Sequence, residues 1–429
     1  MRGMHVLILG GYGFIGLEAA QRLVRTHKVS ALGRAPEAAS RTLPDANWIK
    51  ADIARLDSPE KWAPLLAGVD VVVNASGALQ DGARDNLTAV QDVAIRALIR
   101  ACETAGVTRF VQISAPGAEA GVTDFLRTKA AADAALKQSR LDWVILRPGL
   151  VWGRTASGGT ALVRMLAATP FAQMLVLADA RVQMVDIDDV SDAIAAAVEG
   201  KIECGVDADL VEAAPRSLGD IVAGVRAWHG YPPAPRIDVP SFVGRLLARG
   251  ADLAGWLGWR SPLRSTSLRA LERGVVGDAS VWTRARGKDS ISFDESLRRR
   301  PATRQDRVFA RTQLLLPFIV LALSAFWIAS GLIGLAQLDS AAAALNGALA
   351  NPAPFIVGGS LVDIALGAAL LWRPWARPAA WGMIAVTAAY VIAGSILTPH
   401  LWADPLGPLL KPIPAAMLAL VCAALLEER

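Results

Sequence analysis

Between Arg311 and Asp339 the chain carries no charged residue. The stretch TQLLLPFIVLALSAFWIASGLIGLAQL is longer than the ~20 residues needed to cross the hydrocarbon core of a bilayer. Three more apolar stretches follow at 353–372, 378–398 and 408–426, the last with Lys411, Pro412 and Pro414 at its start. A helical bundle buried inside a soluble protein is the alternative, and four successive runs of this length strain it. The composition, 53% hydrophobic and 19% charged, averages two unlike parts. Residues 312–429 hold only Arg373, Arg377, Lys411 and Arg429 as cations, against Asp339, Asp363, Asp404, Glu427 and Glu428. The first 311 residues are therefore an ordinary charged globule, slightly more positive than the +5 of the whole chain.

Loop charge gives an orientation. Six arginines lie between Arg298 and Arg311, and Arg373 and Arg377 fall between the second and third stretches. The loop between the first and second, near Asn346, has no cation. Positive loops stay on the cytoplasmic side. The expectation is a multi-pass protein of a bacterial-type inner membrane, with both termini and the globule in the cytoplasm.

Other classes find little support. Cys102, Cys204 and Cys422 are far apart and form no CxxC, so neither a disulfide framework nor a zinc site is suggested. His5 and His229 have no companions at metal-ligand spacing, and no metal is expected. The first apolar run leads straight into a glycine turn with no cleavage site, which argues against a signal peptide. No aromatic-basic stripe accompanies the positive charge, so no nucleic-acid partner is expected.

The globule begins with HVLILGGYGFIGLEAAQRLV, a short apolar strand, a glycine turn and an amphipathic helix. Gly10, Gly13 and Gly16 have GxxGxxG spacing, and Gly11 lets the stretch satisfy GxGxxG as well. Glycines here let backbone amides reach a pyrophosphate at the helix N-terminus and let helix and strand pack closely. Tyr12, Phe14 and Ile15 complete the turn. Strand patterns recur at 28–33, 47–52, 69–76, 109–114 and 142–149, with helical patterns between them, notably 86–105 and 124–139. Alternation with nearly all-apolar strands predicts a parallel sheet covered on both faces. The fold class is thus α/β, a Rossmann-type doubly wound sheet, followed by an all-α four-helix transmembrane bundle. The expected boundaries are a nucleotide-binding domain at 1–205, a variable cover region at 206–300, a basic linker at 301–311 and the membrane domain at 312–429.

The second strand ends in ALGRAPE, with Arg34 where an NAD site usually carries an acid for the ribose 2′-hydroxyl. An arginine suits a 2′-phosphate, which favours NADP(H) and leaves NAD(H) open; a solvated turn residue is the plainer reading. Asp52, with Ile53 beside it, ends the third strand and suits the adenine amino group.

With this turn, NASG (Asn74, Ala75, Ser76, Gly77), QISA at 112–115 and FLRTK, the globule resembles the short-chain dehydrogenase/reductase superfamily. LRPGLVWG, with Arg147, Pro148 and Gly149, and QMVDIDDVSDA look like its extended and atypical branches, including the group around the NADPH-binding accessory subunit of respiratory complex I. SLVDIALG and WADPLGPLLK resemble DoxX-like four-helix membrane domains. In that superfamily a serine, a tyrosine and a lysine form the site. The resemblance implies Ser114 and Lys129 as the serine and lysine, but Phe125 occupies the tyrosine position. A phenyl ring has no proton to transfer, and Tyr12, Tyr231 and Tyr390 are no natural replacements. Three functions remain open. One is a redox enzyme whose acceptor needs no protein phenol, such as a quinone from the bilayer. Another is an epimerase-, dehydratase- or reductase-like enzyme that uses Lys129, Ser114 or water on an apolar substrate. The third is a non-catalytic nucleotide-binding subunit with a membrane protein partner.

Two further features stand out. SFVGRLLARGADLAGWLGW is an amphipathic helix pattern that suits either a core-packed cover or the lipid surface. Asp363 falls within the second apolar stretch, where a carboxylate marks either a proton or quinone-headgroup site or a side chain satisfied by neighbouring hydroxyls.

Overall fold

The computed structural model describes residues 3–78, 80–82, 86–345, 350–405 and 407–426. Asn346 and the terminal Glu427, Glu428 and Arg429 lie outside the described residues. The chain divides into two compact units, residues 1–253 with 261–307, and residues 254–260 with 308–429.

The first unit is built on seven parallel strands: β1 (His5–Leu9), β2 (Lys28–Gly33), β3 (Asn47–Lys50), β4 (Val71–Asn74), β5 (Arg109–Ile113), β6 (Asp142–Pro148) and β7 (Val206–Leu210). Their spatial order is β7-β6-β5-β4-β1-β2-β3. The order reverses between β1 and β4, and this switch point opens a crevice at the carboxyl ends of the strands, where doubly wound folds hold their ligands. Alternation along β1 explains the two-sided burial. Val6 and Ile8 face a core with Ala19, Ala20 and Leu23 of α1 (Phe14–Leu23). Leu7 and Leu9 face the other core, with Ile95 and Leu98 of α2 (Ala94–Ala105) and Ala132 and Leu136 of α3 (Asp124–Lys137). A fourth helix, α4 (Ile187–Val198), joins the first face through Val190 and Ile194. The seventh strand starts at Val206, so the sheet draws its last member from just beyond residue 205.

A third core gathers Trp152, Val163, Leu218, Val222 and Phe293 from the region after the sheet. Helix α5 (Ser241–Trp256) belongs to this region. Buried acids stitch its last segment down. Glu212 accepts from the amides of Met184 and Phe293 at 3.1 Å each. Asp186 pairs with Arg300 and Ser296, and Asp189 pairs with Arg286 and the Ile291 amide. The acids of QMVDIDDVSDA thus hold the chain that follows the sheet.

Helices α6 (Arg304–Ala336), α7 (Ala353–Leu371) and α8 (Arg373–Leu397) are long and apolar enough to cross a membrane. Helix α9 (Pro412–Leu425) is a shorter apolar helix of 14 residues. Helix α6 starts at Arg304, within the basic segment 301–311, whose arginines are good helix formers. Helices α6 and α7 approach backbone to backbone. A Cβ on Gly331 would lie 2.3 Å from Ser360 O, and one on Gly367 would lie 2.9 Å from Ser324 O. The Ser324 hydroxyl donates to Gly367 O across the pair at 2.7 Å.

Candidate active site

The turn after β1 is shaped by what it cannot hold. Gly10 has φ +70°, and a Cβ there would lie 2.9 Å from Ala75 O and from Ser76 Cα. A Cβ on Gly11 would meet the Ala31 side chain at 2.6 Å, and one on Gly16 would meet Gly10 O at 2.2 Å. Gly13 caps α1 in an extended conformation, its amide donating to Gly10 O at 2.8 Å, and no side chain caps the helix. The first-turn amides at Phe14, Ile15 and Gly16 are thus free of side-chain acceptors, and helix N-termini of this kind accept phosphates. The Tyr12 ring lies flush on Gly33, the last residue of β2, where a Cβ would come within 2.1 Å of it. Arg34 follows directly and is half-buried. Asp52 caps the turn Ile53–Arg55 by accepting from Ala54 N at 3.2 Å. The glycine cradle and the uncapped helix fit a dinucleotide.

Beyond β4 the backbone is fixed by a buried amide. Asn74 Oδ1 accepts from the Ser76 amide at 3.1 Å and the Ser76 hydroxyl at 2.5 Å, while its Nδ2 donates to Gln112 at 2.9 Å. This presents Ala75–Gly77 beside the glycine turn and Ser76 O beside Lys129.

Helix α3 starts at Thr123, whose hydroxyl accepts from Leu126 N at 3.2 Å. It presents Phe125, Lys129 and Asp133 four residues apart, hence along one face. Lys129 is 4% exposed, and its Nζ donates to Ser76 O at 3.0 Å and Ile113 O at 2.8 Å. Burial pulls its pKa down to about 8, against the opposing pull of Asp133. The Ser114 hydroxyl donates to Asp133 Oδ2 at 2.6 Å. Burial pushes the Asp133 carboxyl up, while Ser114, Lys129 and Arg147 draw it down. Its Oδ1 has no hydrogen-bond partner. Arg147 lies 3.7 Å from Asp133 and pairs with Asp207. A Cβ on Gly149, after Pro148, would lie 2.5 Å from Gln183 O, so glycine is needed for that crossing.

Ser114, Lys129, Asn74, Ser76 and Gly10 therefore meet at the ends of β1, β4 and β5. Arg147, read as a cofactor residue, is engaged by Asp207. Sequence reasoning missed Asp133, although its i+4 spacing from Lys129 inside an apolar helix face was a signal. It also missed Gln91, buried beside α3, which accepts from the Thr128 hydroxyl at 3.2 Å and donates to Ala78 O. The open cleft bounded by Glu18, Arg25, Asp189, Lys288 and Arg299 shares no residue with this cluster.

In the second unit Asp363 accepts from the Tyr390 hydroxyl at 3.0 Å and the Ser330 hydroxyl at 3.1 Å. Ser360, three residues before Asp363, lies against Gly331 and Gly334.

Known proteins resemble the two units separately. Residues 10–201 match the family described as NAD(P)H-binding, and residues 324–420 match the DoxX-like family. UPF0659 protein YMR090W of Saccharomyces cerevisiae is 29% identical over 182 residues, 39% of this chain and 77% of that protein. WbmH of Bordetella bronchiseptica, solved with NAD+, has a TM-score of 0.54 at 18% identity, covering 73% of this chain and 99% of its own. A UDP-glucuronic acid 4-epimerase from Bacillus cereus, solved with NAD, gives 0.54 at 17%, covering 72% and 100%. UDP-glucose 4-epimerase of Thermotoga maritima gives 0.53 at 14%, covering 72% and 100%. These likenesses show that the first unit shares its fold with these NAD-binding proteins.

Proposed function

We propose that this chain, an NAD(P)-binding domain joined to a DoxX-like membrane domain, is a membrane-anchored NAD(P)H-dependent oxidoreductase. Its substrate would be an apolar carbonyl compound or quinone drawn from the bilayer. The observation that carries the reading is the buried Ser114–Asp133 hydrogen bond, 2.6 Å long, beside Lys129. It offers a transferable proton where the superfamily's phenol is replaced by Phe125. The nicotinamide, when bound, supplies the hydride. Burial favours the protonated form of Asp133; this acid would turn to donate to Ser114 as Ser114 passes its hydroxyl proton to the substrate oxygen, leaving a carboxylate that Lys129 and Arg147 stabilise. Lys129 would also hold the nicotinamide ribose, while Gly10–Gly16 and Asn74–Gly77 would hold the pyrophosphate side. Arg34 would favour NADP(H). The arginines between Arg298 and Arg311 support a cytoplasmic nucleotide domain.

A non-catalytic nucleotide-binding subunit is the second reading. It is favoured by Lys129 Nζ, which already donates to two backbone carbonyls. The detergent-solubilised full-length protein, mixed with NADPH and either a short-chain quinone or a long-chain aldehyde, separates the two. The enzyme reading expects NADPH consumption that Ser114→Ala and Asp133→Asn each reduce by ~10²-fold or more. Nucleotide binding without consumption, for either acceptor, establishes the second reading.

A further inference from the structure

Helix α5 is packed inside out for a protein surrounded by water. Its inner face consists of small residues: Gly244, Ala248 and Gly255 are buried, and a Cβ on Gly244 would lie 2.6 Å from Val176. The large apolar side chains point outward. Phe242 is 64% exposed, Leu246 and Leu253 67% each, and Trp256 64%. At 3.6 residues per turn these four lie along one stripe, with Leu257 extending it and Arg249 on it between Leu246 and Leu253. Another exposed apolar pair, Met174 and Ile237, sits in register on the short parallel strands that precede the helix. Contiguous exposed apolar surface of this kind marks an interaction site.

We infer that α5 is an interfacial helix whose outer stripe, Phe242, Leu246, Leu253 and Trp256, beds into the surface of a lipid bilayer. Two observations select lipid as the occupant. The first is where the helix ends. Its last turn and the residues after it, 254–260, group with the membrane helices. The Trp259 indole donates to Leu371 O at 2.7 Å, and Arg373 N donates to Leu257 O at 2.9 Å. Leu371 closes α7 and Arg373 opens α8, so segment 254–260, which ends α5, is fastened at the turn between these two apolar helices. That turn carries the stacked pair Trp372 and Trp375 with Arg373 and Arg377, the residue types enriched at membrane–water boundaries. The second is charge: Arg245 and Arg249 are exposed on α5, and a basic amphipathic helix suits anionic headgroups.

The inner side of the same helix reaches the segment that follows β4. Asp252 accepts from Gln80 Nε2 at 2.8 Å and from Arg264, and Arg264 in turn donates to Asp81 O at 2.7 Å. One helix thus carries the exposed apolar stripe and, on its inner side, the contacts to the loop after Asn74–Gly77.

The test uses the full-length protein in vesicles containing phosphatidylglycerol, with the exposed Cys204 replaced by serine and a nitroxide on Leu246→Cys or Leu253→Cys. Lys50→Cys, on an exposed position of β3, is the aqueous control. Collision rates with oxygen and with a water-soluble nickel chelate are compared. Bedding in lipid predicts high oxygen access with nickel access several-fold below that at position 50. Nickel access equal to position 50 overturns the inference. So does exclusion of both reagents, which would mean that protein, such as a second copy of this chain, covers the stripe. Unchanged circular dichroism and melting of each labelled protein certify that the fold survives.

Discussion

Gly16→Ala tests whether the glycine turn is a nucleotide cradle. A Cβ at this position would lie 2.2 Å from Gly10 O, 2.9 Å from Gly10 C and 3.1 Å from Gly11 Cα. All three are backbone atoms, so no side chain can swing aside. Relief to even the tightest normal contact requires α1 and the turn to part by at least ~0.8 Å. Forced separation of well-packed elements costs about 1–3 kcal/mol. The same shift would stretch amide–phosphate hydrogen bonds from ~2.9 Å toward the limit of bonding. Losing one bond to a charged group is worth about 1.5–3 kcal/mol, which corresponds to roughly a 10- to 150-fold weaker Kd for NADPH. Calorimetric titration of the solubilised protein reads the affinity, and a melting curve reads the stability. Gly250→Ala is the control, since nothing lies within 4 Å of its added Cβ and its φ is ordinary. Unchanged NADPH affinity in Gly16→Ala, with the parent's melting temperature, would refute the cradle.

Further outcomes follow from single side chains. Arg34→Asp should reverse or abolish a preference for NADPH over NADH, whereas a preference for NADH in the unmodified protein would remove Arg34 from the cofactor site. Burial lowers the Lys129 pKa from 10.5 to about 8, so between those values the unfolded chain binds the extra proton. Stability should therefore rise with pH across that window, and Lys129→Met should flatten the rise in chemical denaturation curves. Phe125→Tyr places a phenol four residues before Lys129 and should raise carbonyl reduction, with ~10²–10⁴-fold as the scale of general acid catalysis; the assay is NADPH oxidation with small ketones. A periplasm-active reporter fused after Arg429 should be silent and one inserted near Asn346 active, and the reverse pattern would invert the assigned orientation.

The parts legible in the sequence are those whose causes are local. The glycine turn, Val6–Leu9 and the helix over 124–139 each announce themselves within about a dozen residues. Phe125 was visible as a departure because its neighbours Lys129 and Ser114 fit a pattern. The Ser114–Asp133 bond was not legible: 19 residues separate the partners, and only the packing of α3 against the ends of β4 and β5 joins them. Asp363 illustrates the same limit, since one of its hydroxyl partners, Tyr390, is 27 residues away on another helix. The apolar composition showed where the membrane helices lie but not where they start. Arg304–Arg311 is polar and helical at once, so α6 extends beyond its hydrophobic run.

The buried acids at the sheet edge bear on how such a protein can be assembled by recombination. The NAD(P)H-binding match stops at residue 201, yet a gene fragment ending there would leave Asp186 without Arg300 and Asp189 without Arg286. Glu212, were it retained, would face the vacated position of Phe293 N. Such a fragment would also lose β7 (Val206–Leu210) and leave β6 as an unpaired sheet edge. The exchangeable cassette is therefore longer than the nucleotide-binding core. A crossover that grafts this head onto a different membrane anchor must fall beyond Asp306, which pairs with the buried Arg164, and hence within the first turns of α6.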